Sequence, residues 1–146
     1  MRSVLSAIVV ILGTLGCGGS LTDPWPNVVT DAESPVWYAE ESIWSVPFSV
    51  RNLSSRDTYY LSACDDRIMA GVDRSVRGRW TEHLGAYCIA VLPMVSVALA
   101  PGETLRSHVA IRASGTYRIR LGVSASREDP EEWTETSDSF VISGGG

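Results

Sequence analysis

The chain has 146 residues, 45% of them hydrophobic and 20% charged, with a formal net charge of −5 and a pI near 4.9. That length supports one domain with a real core, and the composition is that of a folded soluble protein rather than a disordered one. The acidic balance argues against nucleic acid as a partner, since phosphate binding needs a basic face. All 12 basic side chains are arginine, so lysine-dependent covalent catalysis is excluded.

Residues 1–16 read as a signal peptide. Arg2 forms a short positive n-region, and Val4 to Leu12 is an apolar run too short to span a bilayer as a mature helix. Thr14-Leu15-Gly16-Cys17 follows and resembles the lipobox of bacterial lipoproteins, with Thr14 standing where Leu is usual. The resemblance implies cleavage before Cys17, lipidation of its thiol and acylation of the new N-terminus. The membrane is then a partner through the lipid. The location is the bacterial envelope, at the outer membrane or the outer leaflet of the plasma membrane. An ordinary secretory signal cut nearby would instead give a secreted protein. Loss of Arg2 leaves 11 arginines against 17 acids, a mature charge of −6.

Residues 17–35 read as a flexible, lipid-anchored tether, because Gly18-Gly19-Ser20, Asp23-Pro24 and Trp25-Pro26 interrupt regular structure. With Cys17 at the cleavage site, Cys64 and Cys88 remain. Two cysteines in an exported domain most simply form one disulfide. It would close a loop of about 25 residues, worth roughly 3–4 kcal/mol on chain entropy. The alternative, a metal or redox pair, has neither CxxC spacing nor a histidine placed as in a zinc motif.

Residues 36–143 read as the folded domain, and 144–146 as a frayed tail. Val36 to Glu41 suits an edge strand. Ile43 to Leu53 is clearer, with Trp44, Val46, Phe48 and Val50 on one face and Ser45, Pro47, Ser49 and Arg51 on the other. Pro47 has no donor for a ladder and belongs at an edge or a bulge. Asn52 to Asp57 reads as a turn, although Asn52-Leu53-Ser54 is also a formal glycosylation sequon. Thr58 to Ala63 is the next strand. Ile68 to Asp73 and Arg79 to His83 form a hairpin, and Gly85 to Pro93 is an irregular connection. Val95, Val97 and Leu99 open another alternating segment. Two further strands follow, with Leu105, Val109 and Ile111 in one and Tyr117, Ile119, Leu121 and Val123 in the other. Glu128 to Glu135 reads as an acidic loop, and Ser137 to Ile142 as a last strand. Short strands between turn signals, with no helical periodicity, predict an all-β fold.

Leu105 to Tyr117, ending in Ser114-Gly115-Thr116-Tyr117, resembles the E-strand and tyrosine corner of immunoglobulin-like domains. The resemblance implies an antiparallel β-sandwich of about seven to eight strands, with Tyr117 as the corner tyrosine. Ile119 stands where antibody-type domains carry their second core cysteine, which leaves the broader set of bacterial envelope domains of this kind. That set includes the BsuPI proteinase inhibitors, which share a Pro-Gly-Glu turn followed by Gly-x-Tyr, here Pro101-Gly102-Glu103 and Gly115-Thr116-Tyr117.

No catalytic constellation emerges. The chain has two histidines, His83 and His108, and lacks a GxSxG elbow; both histidines read as surface or packing groups. Asp65, Asp66 and Asp73 suit a turn of solvated acids better than a calcium loop. No cofactor or metal is expected. Arg106, Arg112, Arg118 and Arg120 are candidate contacts for an anionic surface. If the two strands around Gly115 pair as a hairpin, these arginines share one face; if Tyr117 marks a true corner, they divide between sheets. The expected role is a non-catalytic binding or structural module for an envelope protein or polysaccharide. An envelope proteinase inhibitor is the first alternative, and a small hydrolase or metal-binding protein the second.

Overall fold

A computed structural model describes residues 26–63, 67–83, 94–128 and 133–144. The lipobox-like segment with Cys17, the residues of the expected tether before Pro26, and Cys64, Asp65, Asp66 and Cys88 lie outside the described residues. So do the expected lipidation and disulfide.

The first sheet is built on β3 (Ile43–Asn52). Along one edge it pairs with β9 (Thr104–Ile111), from Trp44↔Ile111 to Arg51↔Thr104. The other edge is shared by β1 (Val28–Ala32) and β2 (Val36–Tyr38). The second sheet is built on β10 (Gly115–Ser124). One of its edges carries β6 (Ala70–Val76) and then β4 (Thr58–Ala63). The other carries β12 (Phe140–Ile142) and β11 (Trp133–Thr136). β7 (Arg79–His83) flanks β6, while β5 (Arg67–Ile68) and β8 (Val95–Leu99) pair with β4. All pairings are antiparallel. The order β1/β2–β3–β9 over β11/β12–β10–β6–β7 is the A-B-E and G-F-C-C′ arrangement of an immunoglobulin-like sandwich.

Alternation explains why these segments pair face to face. Val46, Phe48 and Val50 of β3 and Val109 and Ile111 of β9 are buried in one cluster with Ile119, Leu121 and Val123 of β10 and Val72 of β6. Apolar side chains on alternate positions leave one wet and one dry face per sheet, and burying the two dry faces together is the dominant stabilising term.

The strands are more broken than the sequence predicts, giving twelve segments among the described residues rather than seven or eight strands. Two bulges account for two of the extra segments. Between Ala32↔Phe48 and Val36↔Ser45, three residues (Glu33 to Pro35) oppose two (Val46 and Pro47). Pro47 therefore sits in a central strand, but at a bulge. Its carbonyl accepts from Glu33 N–H at 2.8 Å, and the donor it lacks falls where the ladder is already interrupted. Between Tyr117↔Phe140 and Arg120↔Thr136, Ser137 to Ser139 oppose Arg118 and Ile119. There the Ser137 hydroxyl accepts from Ile119 N–H at 2.9 Å, replacing a backbone acceptor.

Two boundaries are corrected. The sandwich begins at Val28, inside the expected tether, with Val28 and Thr30 buried against the core side. The acidic loop is shorter than expected, because Trp133 to Thr136 forms β11 and pairs with β10.

The turns follow their residues. β6 and β7 are joined by Arg77-Gly78, both at positive φ (52° and 77°), the signature of a type I′ hairpin turn. Ala100-Pro101-Gly102-Glu103 closes with Glu103 N–H to Ala100 O at 3.0 Å and Gly102 at φ 75°, a type II pattern with proline and glycine at their preferred places. The buried Asn52 ties this turn to its own. Its Nδ2 donates to Arg56 O (2.7 Å) and Leu99 O (2.8 Å), and its Oδ1 accepts from Ser54 N–H (2.9 Å) and Ser54 Oγ (2.6 Å). An amide so occupied is a structural bolt, and the sequon it heads is closed to modification in the folded chain.

Candidate functional site

Tyr117 sets the geometry from which every candidate position follows. It is 0% exposed. Its hydroxyl donates to Ala113 O at 2.9 Å, closing a tyrosine corner between β9 and β10. Gly115 makes the corner possible, because a Cβ there would lie 3.2 Å from the Tyr117 ring and 2.9 Å from Arg74 Nε. Arg74 completes it from β6, with Nη2 donating to Ser114 O at 2.8 Å and its guanidinium 5.8 Å from the ring centre. Burial raises the Tyr117 pKa above the phenol range, against a smaller downward pull from Arg74. His83 and Phe140 pack on the same ring at 5.2 and 6.2 Å.

The corner sends β9 and β10 into different sheets, so the four candidate arginines do not share a face. Arg118 and Arg120 lie on the outer face of the β10 sheet beside the nearly buried Asp73. Arg118 donates to Asp73 Oδ2 through Nε (3.0 Å) and Nη2 (2.9 Å). Arg120 Nε lies 3.2 Å from Asp73 Oδ1, and its Nη2 meets Glu82 Oε1 at 2.9 Å. The Arg118 guanidinium stacks 4.7 Å above Trp80. These two charges are matched by Asp73 and Glu82. A small hollow of about 270 Å³ runs beside them, lined by Gly71, Gly122, Thr134, Glu82 and Arg120. Asp73, a candidate acid in the sequence, is the partner of these arginines.

Arg106 and Arg112 take the outer side of the other sheet, on or just beyond β9, with His108 between them. All three are exposed, and none forms an ion pair among the described residues. Beside them the middle of the outer face of β3 carries small groups, Ser45 and Pro47, next to Ala110 of β9. With Tyr38, Glu41, Ile43, Arg106 and His108 as walls, they line a groove of about 550 Å³. The signal for its floor was the run Ser45, Pro47, Ser49 on the polar face of an otherwise large-residue strand. Tyr38 and Glu41 carried no signal, because only the β2–β3 hairpin brings them across.

His83 belongs to β7 and His108 to β9, on opposite sheets. Among the described residues no three of His, Cys, Asp and Glu form a metal-ligand set. Burial raises the Glu135 pKa on β11.

No family model matches this chain. No curated protein matches it significantly either. Among solved structures, it is similar to the ApaA protein from Bordetella pertussis at 17% identity and a TM-score of 0.46, over 80% of this chain and 92% of that one. It is also similar to a β-glucosidase from Listeria innocua in complex with glucose, at 13% identity and a TM-score of 0.42, over 82% of this chain but 16% of the enzyme. A third likeness is to β-glucosidase 3B from Thermotoga neapolitana in complex with α-D-glucose, at 14% identity and a TM-score of 0.34, over 79% of this chain and 17% of that one.

Proposed function

We propose that this chain is a bacterial envelope lipoprotein, anchored through Cys17, whose immunoglobulin-like sandwich is a non-catalytic module that binds another envelope component. One observation carries the binding part of this reading: the two outer faces handle charge differently. On the β10 sheet, Arg118 and Arg120 are neutralised by Asp73 and Glu82. On the β3 sheet, Arg106 and Arg112 have no ion-pair partner among the described residues, and Arg106 and His108 wall a groove with a floor of small side chains. Unmatched charge next to a concave surface suits recognition, whereas internally matched charge suits solubility and stability.

The anchor is tested by Cys17→Ser, which abolishes fatty-acid labelling and moves the protein from the membrane to the soluble fraction; persistent labelling would contradict it. The binding role is tested by cross-linking the mature lipoprotein in intact envelopes. A discrete adduct that survives His83→Ala is the expected result. A panel of proteases inhibited stoichiometrically by the mature domain would replace this reading with that of an inhibitor.

A further inference from the structure

We propose that the open edge of β9 is a docking strand for an extended acidic segment of a partner protein, which adds to the β3 sheet as a further antiparallel or parallel strand. The inference rests on the binding-module reading and names its site and partner class.

The backbone provides the first observation. Pro47 and His108 are opposed in the β3–β9 ladder. Pro47 turns its carbonyl away from β9, toward Glu33. In an antiparallel pair, a residue whose polar backbone groups point away from its partner strand opposes one that does the same. The N–H and C=O of His108, and by the same alternation those of Arg106 and Ala110, therefore point to the outer edge. Asn52 N–H bonding to Glu103 O at 3.1 Å fits the same phase, since Asn52 is two residues from Val50 and even-numbered residues of β3 face β9. Among the described residues no strand pairs with this outer edge.

The other edges are less suited to a visitor. The β1/β2 edge is interrupted at Glu33 to Pro35, and the β11/β12 edge at Ser137 to Ser139. β7 and β8 have 5 residues each, against 8 in β9. A long unbroken edge is a hazard for self-association unless charge guards it or a partner fills it.

Charge provides the second observation and selects the occupant. Arg106 and His108 project from β9 on the outer face, and Arg112 continues the same side just beyond it. An added strand with carboxylates at alternate positions would place them opposite the Arg106 and Arg112 guanidiniums, with main-chain bonds supplying the ladder. A second copy fits poorly, since β9 itself carries no carboxylate to set opposite Arg106. In a two-fold β9–β9 pairing centred on Val109, Arg106 of each copy opposes Arg112 of the other, and like charges directly opposite are destabilising.

The test uses the full mature chain and a fluorescent eight-residue peptide of alternating glutamate and valine, read by anisotropy at low salt. The expected result is saturable binding that weakens as salt rises, and none to the lysine–valine counterpart. His108→Pro removes one edge-facing donor without touching a bond to β3, so affinity falls about tenfold, while His108→Thr keeps it. Arg106→Glu with Arg112→Glu lowers it at least as far. If His108→Pro does not fold, two peptides, one N-methylated at every glutamate and one at every valine, give the same readout from the ligand side, and one of the two must not bind. Equal binding of the lysine peptide, indifference to His108→Pro or to N-methylation, or a dimer that forms through this edge would each overturn the proposal. If the peptide fails but envelope cross-linking persists in the Arg106→Glu/Arg112→Glu variant, the edge is overturned and the binding-module reading stands; if both are lost in the parent chain, that reading falls too.

Discussion

Replacing Tyr117 by Phe removes one oxygen from the middle of the fold and leaves the ring in place. That oxygen makes a 2.9 Å bond to Ala113 O across the corner. A neutral bond of this kind contributes about 0.5–1.5 kcal/mol net, and a partly buried carbonyl left without its donor adds to the loss, so the expected cost is about 1–2 kcal/mol. Truncation to Ala should cost about 3–5 kcal/mol, because the ring that packs on His83 and Phe140 goes as well. The difference separates the corner bond from simple packing. Urea unfolding of the mature domain measures both, with a slope of about 1–3 kcal/mol per molar that should not change between parent and Phe variant. The pH dependence adds a check. Burial raises the folded-state Tyr117 pKa, so the unfolded chain ionises first as pH rises. The advantage of Tyr over Phe is therefore full below the usual phenol value of about 10 and is lost as pH climbs through the folded-state value. A Phe variant within about 0.3 kcal/mol of the parent at neutral pH would refute the claim that the hydroxyl holds the corner.

Asn52→Asp should destabilise by about 2–4 kcal/mol, since it turns two donated bonds to Arg56 O and Leu99 O into carboxylate–carbonyl contacts; equilibrium unfolding measures it. Asp73→Asn should cost about 1–2 kcal/mol after allowance for the partial exposure of Arg118 and Arg120, and the loss should shrink in high salt. Arg77→Asn should stabilise by about 0.5–1 kcal/mol, because φ 52° suits Asn in a type I′ turn better than Arg. Glu135→Gln should raise the urea midpoint at neutral pH. The folded-state carboxyl pKa is raised by burial, so the penalty on the parent is present at neutral pH and disappears as pH falls below the ordinary carboxylate range.

Alternation made β3, β9 and β10 legible, because each is half-buried and its apolar positions fall every second residue. β1 escaped notice because it is short and is separated from β2 by the bulge at Glu33 to Pro35. β11 was hidden in an acidic run, where Glu135 occupies a position opposite the core residue Leu121. Whether β9 and β10 form a hairpin or a corner could not follow from alternation, which is the same in both cases. The deciding interactions are the Tyr117 hydroxyl, the missing Cβ at Gly115 and Arg74, which arrives from 40 residues away to bond Ser114. The pairing of Arg118 with Asp73 depends on the β6–β10 register across 45 residues and left no local trace. The open edge of β9 is a property of topology, visible only once its neighbours are placed.

The most direct test of the binding role is site-specific photo-cross-linking in intact envelopes, with the probe at Thr104 on the edge of β9 or at Arg79 on β7. The account predicts a discrete protein adduct from Thr104 that charge reversal at Arg106 and Arg112 abolishes, and none from Arg79. An adduct from Arg79 alone, or none from Thr104 in a correctly localised and folded protein, would contradict it.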